Sequence, residues 1–506
     1  MTYIMNRRGF LAASGAMAAA FAAPRASIAQ AAAPTLRAAT RTLDIDGRAG
    51  RVFGLINGNG TPGLTLDPGQ RFRLDLINDL AEPTIIHWHG QIPPNAQDGA
   101  PDLPMPLLQP GESRSFDFAT APGTHWMHSH VPIQEMQLLA APLIVRRPED
   151  LSADRQEVTM FLHDFSFRAP EDVLDEIRSG GEHADAAKAD AMQTGGAAAG
   201  HDMGGDMGGN TGGDMAATGM QGMEGMSMAG TAGMQMDLND FDFDAYLVND
   251  RTLGDPEIVA VEKGGRVLLR VINAAAATVF WLDSGAVSAR LVAVDGQPVE
   301  PLPGPRFGVA MGQRLDIELD LPAGGGAWPI LALREGAAER SGLILASAGA
   351  QVKVLSGMAD EPAPAFDTDL AQEAALRAVA PLPERAADVA PMVMLGGQMQ
   401  PYRWTINDRV FEDRVPVTAA TGQRVEMTFH NMTMMGHPMH LHGHHFQVVA
   451  INGKRFPGAM RDTVYVPPMA MVTVALDAGE PAEWMLHCHH MPHMASGMMT
   501  TFAVSG

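Results

Sequence analysis

The stretches GQRFRLDLIN (residues 69–78), GGRVLLRVIN (264–273) and GQRVEMTFHN (422–431) are one pattern written three times. Each opens on a glycine turn, passes an arginine (Arg71, Arg266, Arg424), runs through an alternating apolar strand and closes on asparagine (Asn78, Asn273, Asn431). Asparagine-bearing turns stand upstream of all three: INGN at 56–59, VNDR at 248–251 and INDR at 406–409. Similarity at long spacing means that one supersecondary unit is used three times. Period-two segments such as RLDIELDL (314–321) and MVTVALDA (471–478), broken by glycine and proline, make the rest of the chain all-β. The expectation is three Greek-key β-sandwich domains, at 35–150, 151–353 and 389–506, with a linker at 354–388.

The length of 506 residues and a 46% hydrophobic composition leave room for three cores. At the N-terminus, Arg7 and Arg8 precede a short apolar run from Phe10 to Ala23, and the small residues Ala29 and Ala31 follow. That is an export signal over residues 1–31. Its context, Asn6-Arg7-Arg8-Gly9-Phe10-Leu11, resembles a twin-arginine signal, which implies export of a folded chain to the periplasm. No other stretch is long and apolar enough for a membrane helix. A net charge of −23 argues against nucleic acid as a partner. A monomer is expected. Cys488 is the single cysteine, so it closes no internal disulfide, and in an oxidising compartment it is either a liability or occupied by a metal.

From 178 to 236 the chain turns to Gly, Ala, Asp and Met, with Met203, Met207, Met215, Met220, Met223, Met226 and Met228 spaced by glycine and acidic residues. Such a segment cannot bury enough apolar surface to fold alone and is expected to be a disordered insertion in the second domain. Thioethers are soft ligands suited to Cu(I).

Ten of the 18 histidines fall into four clusters: His87-Trp88-His89, His128-Ser129-His130, His437-Pro438-Met439-His440-Leu441-His442, and His487-Cys488-His489 with His493. Residues two apart on a strand point the same way, so each His-x-His pair offers two imidazoles to one side. Two pairs near each end of the chain require the first and third domains to meet around a polynuclear metal site.

This constellation, with the threefold repeat, resembles the multicopper oxidases over essentially the whole mature chain. The resemblance implies cupredoxin-like domains and four copper ions, with O2 and a reducing substrate as the reactants. It implies a type 1 copper on His437, Cys488 and His493, with Met498 axial. It implies a type 2 copper on His87 and His440, and paired type 3 coppers on His89, His128 and His489 and on His130, His442 and His487. Cys488 would pass electrons from the type 1 centre to the cluster held by its neighbours. Asp98, nine residues after His89, matches an acidic position that relatives use near the cluster and is expected to deliver protons. Met494 departs from the acid that a number of relatives carry after the last histidine. His125, His444, His445 and His490 complete no further spacing and fall outside the ligand set.

Met435, two residues before His437, matches a position where copper-detoxifying relatives place a thioether for Cu(I), while Thr433 stands where such a relative can have a carboxylate. The expected reaction is therefore Cu(I) oxidation in copper tolerance. The alternatives are a laccase-like oxidase of phenols or other organic reductants, and a periplasmic copper-sequestering protein.

Overall fold

A computed structural model describes residues 34–179, 238, 240–366 and 370–506. The export signal and the methionines from Met203 to Met228 lie outside the described residues. The described chain is built of strands paired in six sheets, two for each of three sandwiches.

The threefold repeat reappears as one local topology. Strand Phe72–Asn78 pairs in parallel with Thr35–Ile45 and antiparallel with Ser113–Phe118. Strand Arg266–Asn273 does the same with Gln156–Phe165 and Arg314–Asp320, and Arg424–Asn431 with Met392–Met399 and Met471–Asp477. The closing asparagine has one job in all three. Its side-chain oxygen accepts the backbone N–H two residues on (Leu80, Ala275, Thr433), and its amide donates to carbonyls of the following loop and of a second segment (Leu108, Val309, Val466). All three are fully buried, where an unpaired amide would cost about 1–3 kcal/mol, so the repeat keeps asparagine to tie off the strand.

Alternation holds in the first copy, whose Phe72, Leu74 and Leu76 are buried. The second copy is buried on both faces after its first residue, because strand Gly123–Ser129 of the first domain crosses it. There Arg270 is enclosed by Asp150, Glu157 and Asp316, and a guanidinium at that depth is tolerable only with such partners.

The first hairpin of each domain shows where the insertion enters. In the first domain it turns at Asp46-Gly47 between Ile45 and Arg48, and in the third between Met399 and Tyr402. In the second, Phe165 pairs with Ala245, and the intervening chain replaces the turn. That chain opens with helix α1 (Pro170–Ser179), whose Val173, Leu174 and Ile177 are buried, so regular structure extends two residues into the segment expected to be disordered. The linker folds back on the domains: Phe366 and Leu376 are buried, and Glu373 forms an ion pair with Arg461.

Candidate metal centre

Two antiparallel pairs set the histidines. His87 lies opposite His128, and His440 opposite His487, with Met439 opposite Cys488. Alternation along Ala482–Cys488 sends the Cys488 side chain to the opposite face from His487. The same alternation along His437–Leu441 separates His437 from His440. His130, His442 and His489 sit one residue beyond their strands, yet every pair keeps its rings on one side, with centroids 4.9–5.8 Å apart.

All ten histidines are buried. Donor atoms within 4.8 Å of one another fall into the groups His87-His440-His442, His89-His128-His489, His130-His442-His487 and His437-Cys488-His493. Five of the rings are anchored through Nδ1 and present Nε2. The Nδ1–H groups of His87, His440, His128 and His487 donate to the carbonyls of Asp98, Asp462, Ser129 and Cys488. His442 Nδ1 donates to Asp98 Oδ2 at 2.7 Å. The Nε2 atoms then face one another: His87 to His440 at 3.4 Å, His130 to His442 at 3.2 Å and His442 to His487 at 3.3 Å. In the third group His89 Nδ1, His128 Nε2 and His489 Nε2 are buried without any partner. Lone pairs facing one another repel unless a cation lies between them, so this donor set fits a metal cluster. Desolvation, then the charge of neighbouring imidazoles, lowers the pKa of His87, His130, His442 and His489 well below the ordinary histidine range, which keeps those rings neutral as ligands must be.

The fourth group stands apart. His437 Nδ1 and His493 Nδ1 are 3.1 Å from each other and 3.7 and 3.8 Å from Cys488 Sγ. Helix α2 (Met491–Ala495) returns His493 to the thiol, and the Cys488 N–H donates to the Met498 carbonyl, which ties fully buried Met498 to the same spot. Burial first, with the charge of Asp240 added and a backbone hydrogen bond at His490 pulling the other way, pushes the Cys488 thiol well above its ordinary range, so a thiolate there needs a metal to hold it. The outer nitrogens meet oxygens: His437 Nε2 lies 2.8 Å from the Thr433 hydroxyl, and His493 Nε2 lies 3.3 Å from Asp240 Oδ2. Asp240 also accepts from the Tyr402 hydroxyl at 2.5 Å.

Several supporting residues escape sequence reasoning. Asp462, held by buried Arg314, reaches His89 Nε2 at 3.1 Å, and Thr463 reaches it at 3.0 Å. Glu135 is buried with its oxygens 3.4 Å from His128 Nδ1 and 3.6 Å from His489 Nδ1. None of these stands in a motif; only the fold brings them in. Asp98 is buried, and desolvation pushes its carboxyl up to about 8. Gly90, after the first pair, has φ +89° and no room for a side chain: a Cβ would lie 2.3 Å from His125 Nδ1 and 2.5 Å from Arg314 Nη2. Of the histidines outside the ligand set, His445 Nε2 donates to the Gly90 carbonyl, and His444 bonds the His442 carbonyl and the Gly479 N–H. Met494, where relatives carry an acid, is buried in the apolar core of the third domain.

The sequence matches the multicopper oxidase family over residues 38–150, 213–352 and 385–506. It is 31% identical to multicopper oxidase MmcO of Mycobacterium tuberculosis, across 98% of this chain and 96% of that protein. It is 24% identical to copper resistance protein A of Escherichia coli, across 88% of each. A crystal structure of the multicopper oxidase from Pseudomonas thermotolerans superposes with a TM-score of 0.65 at 23% identity, covering 93% of this chain and 98% of that one, which shows the shared fold. The chain belongs to the multicopper oxidase family, whose members carry one type 1, one type 2 and two type 3 coppers and use O2 with a reducing substrate.

Proposed function

We propose that this multicopper oxidase is a cuprous oxidase of copper tolerance, exported by the twin-arginine route to the periplasm, which turns Cu(I) into the less permeant Cu(II). His437, Cys488 and His493, with Met498, would hold the type 1 copper. His87 and His440 would hold the type 2 copper. His89, His128 and His489, and His130, His442 and His487, would hold the type 3 pair. Bound there, copper supplies the one-electron chemistry that gathers four electrons from the reductant and reduces O2, with four protons, to two waters.

The chain's own residues do the rest. Cys488 joins the two centres through its own backbone, since His487 and His489 flank it. Asp98 orients His442 through Oδ2, and its Oδ1, buried without a partner, is the atom to hold a proton beside the cluster. The Thr433 hydroxyl bonds the outer nitrogen of His437, and the Asp240 carboxylate lies 3.3 Å from the outer nitrogen of His493.

The observation that carries Cu(I) as substrate is where the methionine-rich insertion rejoins the fold. Leu238, two residues after Met236, lines one pocket with Met434, Met435 and His490, and Asp240 touches His493. Soft thioethers and a carboxylate thus converge on the electron-entry edge, as a cuprous substrate requires. The test is steady-state O2 uptake by copper-loaded protein with chelated Cu(I) and with a phenol. A higher kcat/KM for Cu(I) supports the reading. A preference for the phenol makes the protein laccase-like, and no uptake with either donor at full copper loading makes it a sequestering protein.

A further inference from the structure

The outer face of one sheet in the third domain carries a donor set that neither copper centre uses. Strand Arg424–Asn431 lies between Met392–Met399 and Met471–Asp477, and its His430 stands directly opposite Met394 on one side and Met471 on the other. Residues in register on neighbouring strands point to the same face, and their side chains start only about 5 Å apart. An imidazole is thus flanked by two thioethers in one row. The residues that alternate with them, Val393, Leu395, Phe429 and Val472, point inward and join the core that encloses Cys488. The row therefore faces away from the type 1 thiol. Met394, His430 and Met471 are half-buried, and the His430 ring has no hydrogen bond to another described residue.

The same domain is selective in what it leaves in water. Among its described residues the exposed large hydrophobic side chains are Met392, Met432, Met434 and Met469, with Val415 beside them. Exposure by chance would mix in leucine and isoleucine, so sulfur rather than apolar bulk is what these positions share. Met392 lies two residues before Met394, on the same face of the strand. A thioether held in water packs against nothing and keeps its lone pairs free for a soft ion.

We propose that Met394, His430 and Met471 form a separate site for one soft monovalent cation, with Cu(I) as its natural ion. Two thioethers select Cu(I) over harder divalent ions, and imidazole is a good copper ligand beside them. The ion enters and leaves as Cu(I), and no electron moves at the site. The site goes beyond the oxidation of Cu(I): it needs no turnover and stands equally in an oxidase of phenols.

The experiment uses the full-length, copper-loaded protein with isotope-labelled methionine methyls, held reduced and free of O2 so that its bound copper is diamagnetic in NMR. Met394→Leu and Met471→Leu identify the two methyl signals by their loss. Ag(I), a redox-inert stand-in for Cu(I), is titrated in against a competing thioether. The Met394 and Met471 signals should move together with one midpoint as a single ion fills the site. His430→Gln should raise that midpoint by about tenfold or more, since even the partners of metal ligands are worth that much. Zn(II), which favours harder donors, should leave both signals in place. O2 uptake with a phenol should be the same in His430→Gln as in wild type. Signals that move at different Ag(I) concentrations, a signal that stays put, a midpoint unchanged in His430→Gln, or an equal response to Zn(II) overturns the site. Loss of phenol-driven O2 uptake in His430→Gln overturns its separation from the copper centres. A wild-type enzyme that prefers the phenol to Cu(I) sinks the cuprous-oxidase reading and leaves this titration untouched.

Discussion

Asp98 Oδ2 accepts a 2.7 Å hydrogen bond from His442 Nδ1, so an acid of the first domain orients an imidazole of the third. The His87 Nδ1–H donates to the Asp98 carbonyl at 2.8 Å, so the same residue steadies two rings of the cluster from its backbone and its side chain. Asn at this position keeps an acceptor for His442 but holds no exchangeable acid. Asp98→Asn should lower kcat for every donor by about 100-fold, the lower end of the range for a positioned acid, and leave KM for the donor little changed. Steady-state O2 uptake decides it; a kcat within about threefold of wild type would remove Asp98 from proton delivery.

The methionine-rich insertion enters at the first hairpin of the second domain and rejoins the chain beside Asp240. On the cuprous reading proposed above, the insertion's thioethers are a tethered set of Cu(I) ligands that raises the local concentration of substrate without touching the chemistry. Deleting residues 200–236 should therefore lower kcat/KM for Cu(I) by about tenfold at limiting substrate while the phenol rate holds. Equal losses for both donors would mark the insertion as structural.

The copper-free protein should weaken on acidification. Desolvation holds the folded-state pKa of His87, His89, His440 and His442 far below 6.5, and that of His487 at about 3. Below 6.5 the unfolded chain binds protons that the folded chain refuses, so this stability is present above 6.5 and is lost as pH falls. Each such ring contributes about 1.4 kcal/mol per pH unit across that window. A melting temperature of copper-free protein at pH 5 equal to or above that at pH 7 would contradict the burial of neutral imidazoles.

Glu335 has the opposite sign. Burial raises its carboxyl to about 8, against a weaker pull downward from the Phe366 N–H at 2.6 Å and the charge of Arg334. The folded chain keeps this proton while the unfolded chain has released it from about 4.5 upward, so stability is lost as pH rises from about 4.5 to about 8. Glu335→Gln should raise the melting temperature at pH 8.5 and change it far less at pH 5. A uniform shift at both values would mean that the carboxyl does not titrate in that window.

What could be read in advance divides along physical lines. The alternation in residues 72–78 and the closing asparagines are local signals, and they returned as the same strand pairing in three domains. His-x-His spacing predicts which imidazoles share a face, because that follows from strand geometry alone. It does not say what holds the far nitrogen of each ring. Asp462 and Arg314 come from different domains, Glu135 lies five residues past His130 in a short helix, and Asp240 lies four residues past a low-complexity segment. Their contacts depend on how whole domains meet. Thr433 stands where a relative can have a carboxylate; its hydroxyl bonds His437, and the carboxylate of Asp240 lies 3.3 Å from His493.

The central claim is that one cysteine couples two centres, and Cys488→Ser tests it most directly. Copper content, the visible thiolate band and O2 uptake should be measured on the same loaded sample. The account predicts that the band disappears, that the copper bound by the eight histidines outside the type 1 site is retained, and that O2 uptake is lost with Cu(I) and phenol alike. Retained O2 uptake with either donor in the absence of the thiolate band would show that electrons reach the cluster by another route and would contradict the account.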